Sequence, residues 1–220
     1  MSQLALNITK TESFEAESFL ISGCNEAAFQ MVNGWQKTWN TNTLLLVGEK
    51  FSGKTHLSKI WQKLADAKLA KPHNISELLN ELKVVGENII IEDIDELPQE
   101  LEENFFHLYN CLKQNDNYLL LTSAKPIYDL KFTLPDLRSR ISSSLIANIE
   151  KPNEEFQKAL FQKQFLEQQL KVSLKVIDYI TPRIERSFEA IHKIVDILNK
   201  KSIETKRNIT IPFVKEILDI

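Results

Sequence analysis

The eight residues Gly48-Glu49-Lys50-Phe51-Ser52-Gly53-Lys54-Thr55 fit the pattern G-x-x-x-x-G-K-[ST], and the apolar run Thr43 to Val47 precedes them. A loop of this kind turns tightly between a buried strand and a helix, so that successive backbone N–H groups and the helix N-terminus converge on phosphates. The pattern therefore commits the chain to a strand, a turn and a helix in that order, and makes nucleotide binding the first functional expectation. Gly48, Ser52 and Gly53 form the cradle, Lys54 reaches the β- and γ-phosphates, and Thr55 offers its hydroxyl to Mg²⁺. Leu57, Ile60, Trp61 and Leu64 follow at helical spacing and predict a helix that docks on the sheet, ending near Ala67. Phe51 stands where many such loops carry another glycine.

The whole chain, 220 residues and 43% hydrophobic, suits one domain with an appendage and a sizeable core. No apolar run approaches the ~18 residues of a membrane span and no secretory signal pattern opens the chain, so a cytoplasmic protein is expected. Cys24 and Cys111 have neither metal nor redox spacing and read as buried, reduced thiols. A net charge of −3 argues against an autonomous nucleic-acid binder, which concentrates a basic surplus on one face. Any role on DNA would be indirect.

Along the chain, 25–35 reads as an early helix. After the loop and its helix, Ile75 to Leu79 begins a short helix, and 88–93 reads as a buried strand ending in acids. A helix follows over 98–114 with Leu101, Phe105, Leu108 and Leu112 on one stripe, then strands over 118–123 and 144–149. Strands alternating with helices imply an α/β fold, a parallel sheet covered on both faces. Near Lys151-Pro152 the pattern changes. Phe156, Leu160, Phe161, Phe165 and Leu170, then Phe188, Ile191, Val195 and Leu198, recur at helical spacing only. The expected division is a flexible tail over 1–12, an α/β nucleotide-binding domain over 13–150 and a small all-helical lid over 151–220.

Glu92 and Asp93 end a strand at the edge of the sheet where ligands of open α/β folds bind. A phosphate-bound Mg²⁺ needs carboxylate there. Glu92 is the expected metal ligand beside Thr55, and Asp93 the acid that orients water.

Taken together, these segments resemble the P-loop AAA+ ATPases, in the DnaA/Hda branch. Glu17-Ser18-Phe19-Leu20-Ile21 with Asn25-Glu26-Ala27-Ala28 resembles the stretch bordering adenine. Gly53-Lys54-Thr55-His56-Leu57 is similar to the branch's GKTHL signature, which adds His56 to the nucleotide site. Ile90-Ile91-Glu92-Asp93-Ile94 is similar to its Walker B strand, with Glu92 in place of the first Asp. Leu121-Thr122-Ser123-Ala124 resembles the end of the sensor 1 strand and adds Ser123, with Ala124 departing from the pattern. Leu134-Pro135-Asp136-Leu137-Arg138-Ser139-Arg140 resembles the box whose last arginine is an arginine finger, so Arg140 would act in trans. Arg183 to Phe188 resembles the start of the sensor 2 helix, directing Arg186 toward the phosphates. Gln3-Leu4-Ala5-Leu6 resembles a Q-L-x-L peptide that docks on the sliding clamp.

The resemblance implies a regulator of chromosomal replication initiation with three partners: an adenine nucleotide (ADP or ATP, with Mg²⁺), the DNA polymerase sliding clamp, and the initiator DnaA. Arg140 would promote hydrolysis of DnaA-bound ATP, while intrinsic turnover would be weak or absent. A homo-oligomer is compatible with it. The branch's initiators carry a helix-turn-helix domain after the lid, and none is expected here. Two alternatives stay open: a helicase-loader-like ATPase with its own turnover, and a non-enzymatic adaptor, for which Phe51, Glu92 and Ala124 speak.

Overall fold

The computed structural model describes residues 16–82 and 87–219. Gln3, Leu4 and Leu6 lie outside the described residues. Helix α1 (Glu26–Asn33) and the single turn α2 (Trp35–Thr38) replace the one helix expected over 25–35, because the chain breaks at Gly34, whose N–H closes α1 on the Gln30 carbonyl. Strand β1 (Thr43–Val47) runs into the phosphate loop and helix α3 (Lys54–Ala65). Then come β2 (Lys68–Ala70), α4 (Ile75–Leu82), β3 (Ile89–Ile91) and α5 (Glu102–Gln114). Strand β4 (Leu119–Ser123), helix α6 (Pro135–Ser142) and strand β5 (Leu145–Asn148) complete the α/β part.

The five strands among the described residues are all parallel, in the order β2-β3-β4-β1-β5. Val47 is in register with Ser123 on one side and Asn148 on the other, and Ala70 with Ile91. The last residues of β1, β2, β3 and β4 therefore finish along one edge, which is where the chemistry collects. Strand β2 was not expected from the sequence. It is a three-residue edge strand whose side chains are exposed or half-buried, so it carries no apolar run to be read.

The central strands read as unbroken apolar runs because both faces are covered. On one face Leu44, Leu46, Ile90 and Leu120 pack with α1 and α3. On the other Leu45, Ile89, Ile91, Leu119 and Leu121 pack with Phe105, Leu108 and Leu112 of α5 and Leu137 and Ile141 of α6. Leu57, Ile60 and Trp61 of α3 dock as expected, with Trp61 stacked on Trp39 at 5.2 Å between ring centroids. Leu64 does not dock: it is 47% exposed, because the buried stripe of α3 passes from Trp61 to Ala65. The thiols of Cys24 and Cys111 are free, and both residues are half-buried rather than buried.

Past residue 151 the chain is helical: α7 (Glu154–Glu167), α8 (Leu174–Ile180), α9 (Phe188–Thr205) and α10 (Ile211–Leu218). They enclose a core of their own around Phe161, Phe165, Ile177, Ile191, Val195, Leu198 and Phe213. Asn153 caps α7 by accepting from the Phe156 N–H at 2.8 Å, and Ser187 caps α9 from the Ala190 N–H at 3.0 Å. Among the described residues no helix is long and apolar enough to cross a membrane.

Candidate functional site

The loop after β1 adopts left-handed backbone twice, at Phe51 (φ 65°) and Gly53 (φ 97°). Alternation of this kind turns successive N–H groups inward into an anion-binding concavity. Gly53 is doubly constrained: an added Cβ would come within 3.0 Å of Phe19 Cε2. Gly48 is constrained by space, since a Cβ there would meet Ser52 Oγ at 2.6 Å. Phe51 holds the same left-handed region without glycine's freedom, at a cost of about 1–2 kcal/mol.

Lys54 is nearly buried and donates to the carbonyls of Gly48 (2.7 Å) and Glu49 (2.9 Å), which fastens it across the loop. Burial pushes its pKa below the usual lysine value, against the opposing pull of Asp93, Asp95, Glu49 and Glu92. Thr55 is exposed at the start of α3. The His56 ring lies edge-on to Phe19, with Ser18 Oγ 3.4 Å from its Nε2, so the stretch before α1 folds over the start of α3. Ser123 ends β4 with its hydroxyl donating to the Lys125 carbonyl at 2.7 Å, and its carbonyl accepts from the Gly48 N–H.

Glu92 and Asp93 follow β3 at the same edge. Glu92 is buried, while Asp93 is partly exposed in left-handed backbone (φ 58°), its N–H donating to Thr122 Oγ1 at 2.9 Å. A residue the sequence did not bring forward stands between them. Lys71 Nζ lies 2.6 Å from Asp93 Oδ2 and 3.2 Å from Glu92 Oε2. Burial works against the Lys71 charge, but the bond to Asp93 and the field of both acids outweigh it and raise its pKa above the ordinary lysine value. Two buried oxygens at this edge, Ser52 Oγ and Glu92 Oε1, have no hydrogen-bond partner among the described residues. Buried polar atoms are almost always paired, so this orphaned pair beside an anion cradle fits a phosphate group with its cation.

The lid closes one side of the loop. Glu49 accepts from the Phe188 N–H, placing a carboxylate on the positive end of the 18-residue helix α9. Phe51 stacks on His192 of the same helix, with ring centroids 3.8 Å apart. Arg186 is exposed two residues ahead of Phe188, at the end of α9 that meets the loop.

Arg140 lies on α6, exposed, and no ion pair involves it among the described residues. The entry to α6 is held by Glu102, another residue the sequence reading missed. Its buried carboxylate accepts from Thr133 N–H, Thr133 Oγ1 and Leu134 N–H at 2.7–3.0 Å. No local signal announces this, because the partners lie 31 and 32 residues further along. Glu102→Ala orphans two backbone donors and a hydroxyl, and is expected to cost about 2–3 kcal/mol. Urea unfolding checks it, and a midpoint equal to wild type would show that water replaces the carboxylate without loss.

Residues 154–218 match the family described as Hda, lid domain. An uncharacterised protein of Haemophilus influenzae is 30% identical over 184 residues, which cover 79% of this chain and 80% of that protein. The chromosomal replication initiator protein DnaA of Bacteroides thetaiotaomicron is 26% identical over 199 residues, covering 80% of this chain and 42% of the initiator. The chain thus spans about half the length, or less, of the DnaA relatives it matches. Domain III of the Thermotoga maritima replication initiation protein DnaA superposes with a TM-score of 0.80 at 17% identity, over 94% of this chain and 95% of that one. That last likeness concerns the fold: a parallel AAA+ sheet followed by a helical lid.

Proposed function

The chain belongs to the Hda/DnaA-related AAA+ proteins, and from that membership we propose that it regulates the initiation of replication. In this reading it binds adenine nucleotide, is held on the DNA-loaded sliding clamp by Gln3, Leu4 and Leu6, and promotes hydrolysis of ATP bound to DnaA. The observation that carries it is Arg140, a guanidinium on the outer surface of α6 with no ion-pair partner among the described residues. A side chain destined for another subunit's nucleotide has to be free of its own core. Inserted there, it neutralises charge developing on the transferred phosphoryl group.

The chain's own nucleotide would lie in the cradle of Gly48 to Thr55, with Lys54 and Arg186 facing its phosphates and His56 and Ser123 at its borders. Mg²⁺, when bound, would neutralise phosphate charge from a position beside Thr55 and Glu92. Asp93 would be the acid nearest an attacking water, but its carboxylate is bonded to Lys71, which speaks for weak intrinsic turnover and against an ATPase working by itself. The nucleotide then serves mainly to set the lid, through the loop contacts of Glu49 and Phe51 with α9.

Reconstitution tests this reading. ATP held by DnaA is followed with and without the chain and clamp-loaded DNA, and its loss is expected to accelerate only when both are present. A variant with Gln3, Leu4 and Leu6 all changed to Ala is expected to lose the acceleration and clamp pull-down together, with an unchanged melting temperature. Normal clamp binding by that variant would refute the tail's docking role. Unaltered ATP retention with wild-type chain and clamp present would refute the regulatory role.

A further inference from the structure

Strand β2 ends at Ala70 in register with Ile91, and the Glu92 N–H is bonded to the Ala70 carbonyl at 3.2 Å. The next residue on the β2 side, Lys71, is thereby set directly across from the acids that follow β3. Its backbone is extended and leads into Pro72, which opens a short helical turn, so the approach of the side chain is fixed at its root. Of the four carboxylate oxygens of Glu92 and Asp93, Lys71 Nζ contacts one on each residue, at 3.2 and 2.6 Å. Glu92 Oε1 is left buried without a partner among the described residues.

We propose that Lys71 is a built-in counter-cation of the nucleotide site, allowing the chain to hold a nucleoside diphosphate without Mg²⁺. The inference rests on the nucleotide-binding reading above and adds a metal requirement, or the lack of one, to it. Two carboxylates facing a bound phosphate chain repel it unless a positive charge stands between them. In a metal-dependent P-loop site a divalent ion supplies that charge. Here an ammonium bonded to both acids already supplies it. An ammonium is held by its own backbone, so it stays when the metal is chelated. It carries one charge instead of two, which suits the smaller anionic charge of a diphosphate, and it has no open coordination position with which to activate water.

Calorimetric binding of ADP to the full chain, in EDTA and in Mg²⁺, tests the assignment with wild type, Lys71→Met and Lys71→Arg. Wild type and Lys71→Arg are expected to show affinities that change by less than about 3-fold between the two buffers. Lys71→Met, which keeps an unbranched stem and loses the charge, is expected to bind about 10-fold or more weakly in EDTA and to recover in Mg²⁺. A wild-type affinity that falls by such a factor in EDTA, or a Lys71→Met variant indifferent to Mg²⁺, would overturn the proposal. A parallel measurement needs no nucleotide: free Mn²⁺ monitored by electron spin resonance should be taken up by Lys71→Met and not by wild type. If wild type binds no ADP in either buffer, the nucleotide reading fails. The Mn²⁺ arm then decides the role of Lys71, and equal uptake by wild type and Lys71→Met refutes it.

Discussion

Arg140→Ala is expected to fold, to bind the clamp and to bind nucleotide as wild type does, while stimulation of DnaA-bound ATP hydrolysis drops by about 10³-fold or more. The first half follows from exposure: the side chain is outside both sheet-covering cores and makes no ion pair among the described residues, so nothing in the chain's own packing depends on it. The second half follows from electrostatics. Within a subunit interface from which water is excluded, removing the guanidinium leaves phosphoryl charge unpaired at the moment it develops. Arg140→Lys should recover little, since an ammonium lacks the planar fork that meets two oxygens at once. Single-turnover loss of labelled ATP from DnaA, in the presence of clamp-loaded DNA, measures the effect. Full stimulation by the alanine variant would remove the finger from the mechanism.

Lys54→Ala should abolish the chain's own nucleotide binding. The ammonium is nearly buried and bridges two carbonyls at the base of the loop, so its loss removes the cation facing the phosphates and also unfastens the cradle. Truncating one partner of a buried, hydrogen-bonded charge pair costs about 2–5 kcal/mol of binding. Binding stabilises a fold in proportion to the logarithm of ligand over dissociation constant, so the upward shift in melting temperature expected for wild type with ADP should be absent from the variant. The apo melting temperature should change far less than the ligand-induced shift. An ADP-induced shift equal to that of wild type would show that the nucleotide is held elsewhere.

The α/β part with its helical lid, the phosphate loop and the acids after β3 were legible in the sequence because each is a local pattern. Four successive apolar residues after Thr43 make β1 recognisable, and four fixed positions make the loop. Phe188, Ile191, Val195 and Leu198 are buried in the stripe that their spacing implies. Local pattern also explains two misreadings. Leu64 continues the helical spacing of α3, yet the buried stripe runs through Trp61 and Ala65 and leaves Leu64 on the exposed side, and only the neighbouring elements decide that. Strand β2 has no pattern, because an edge strand of three residues is defined by hydrogen bonds to β3 and not by its own side chains.

What the amino-acid order determined by itself is the set of parts: a P-loop on a parallel α/β frame, a pair of acids, an arginine-bearing helix and a helical lid, each built from patterns that repeat within a strand or a few turns of helix. What only the tertiary structure decided is how those parts are paired. Lys71 reaches Asp93 across 22 positions, Glu102 holds Thr133 across 31, and Glu49 meets the lid helix across 139. Each pairing is a charge satisfied by a group that the sheet order and the packing of lid on loop bring near it. Propensity and periodicity act over one or two turns of chain, whereas a charged side chain is matched by whatever the completed fold places within about 3 Å of it.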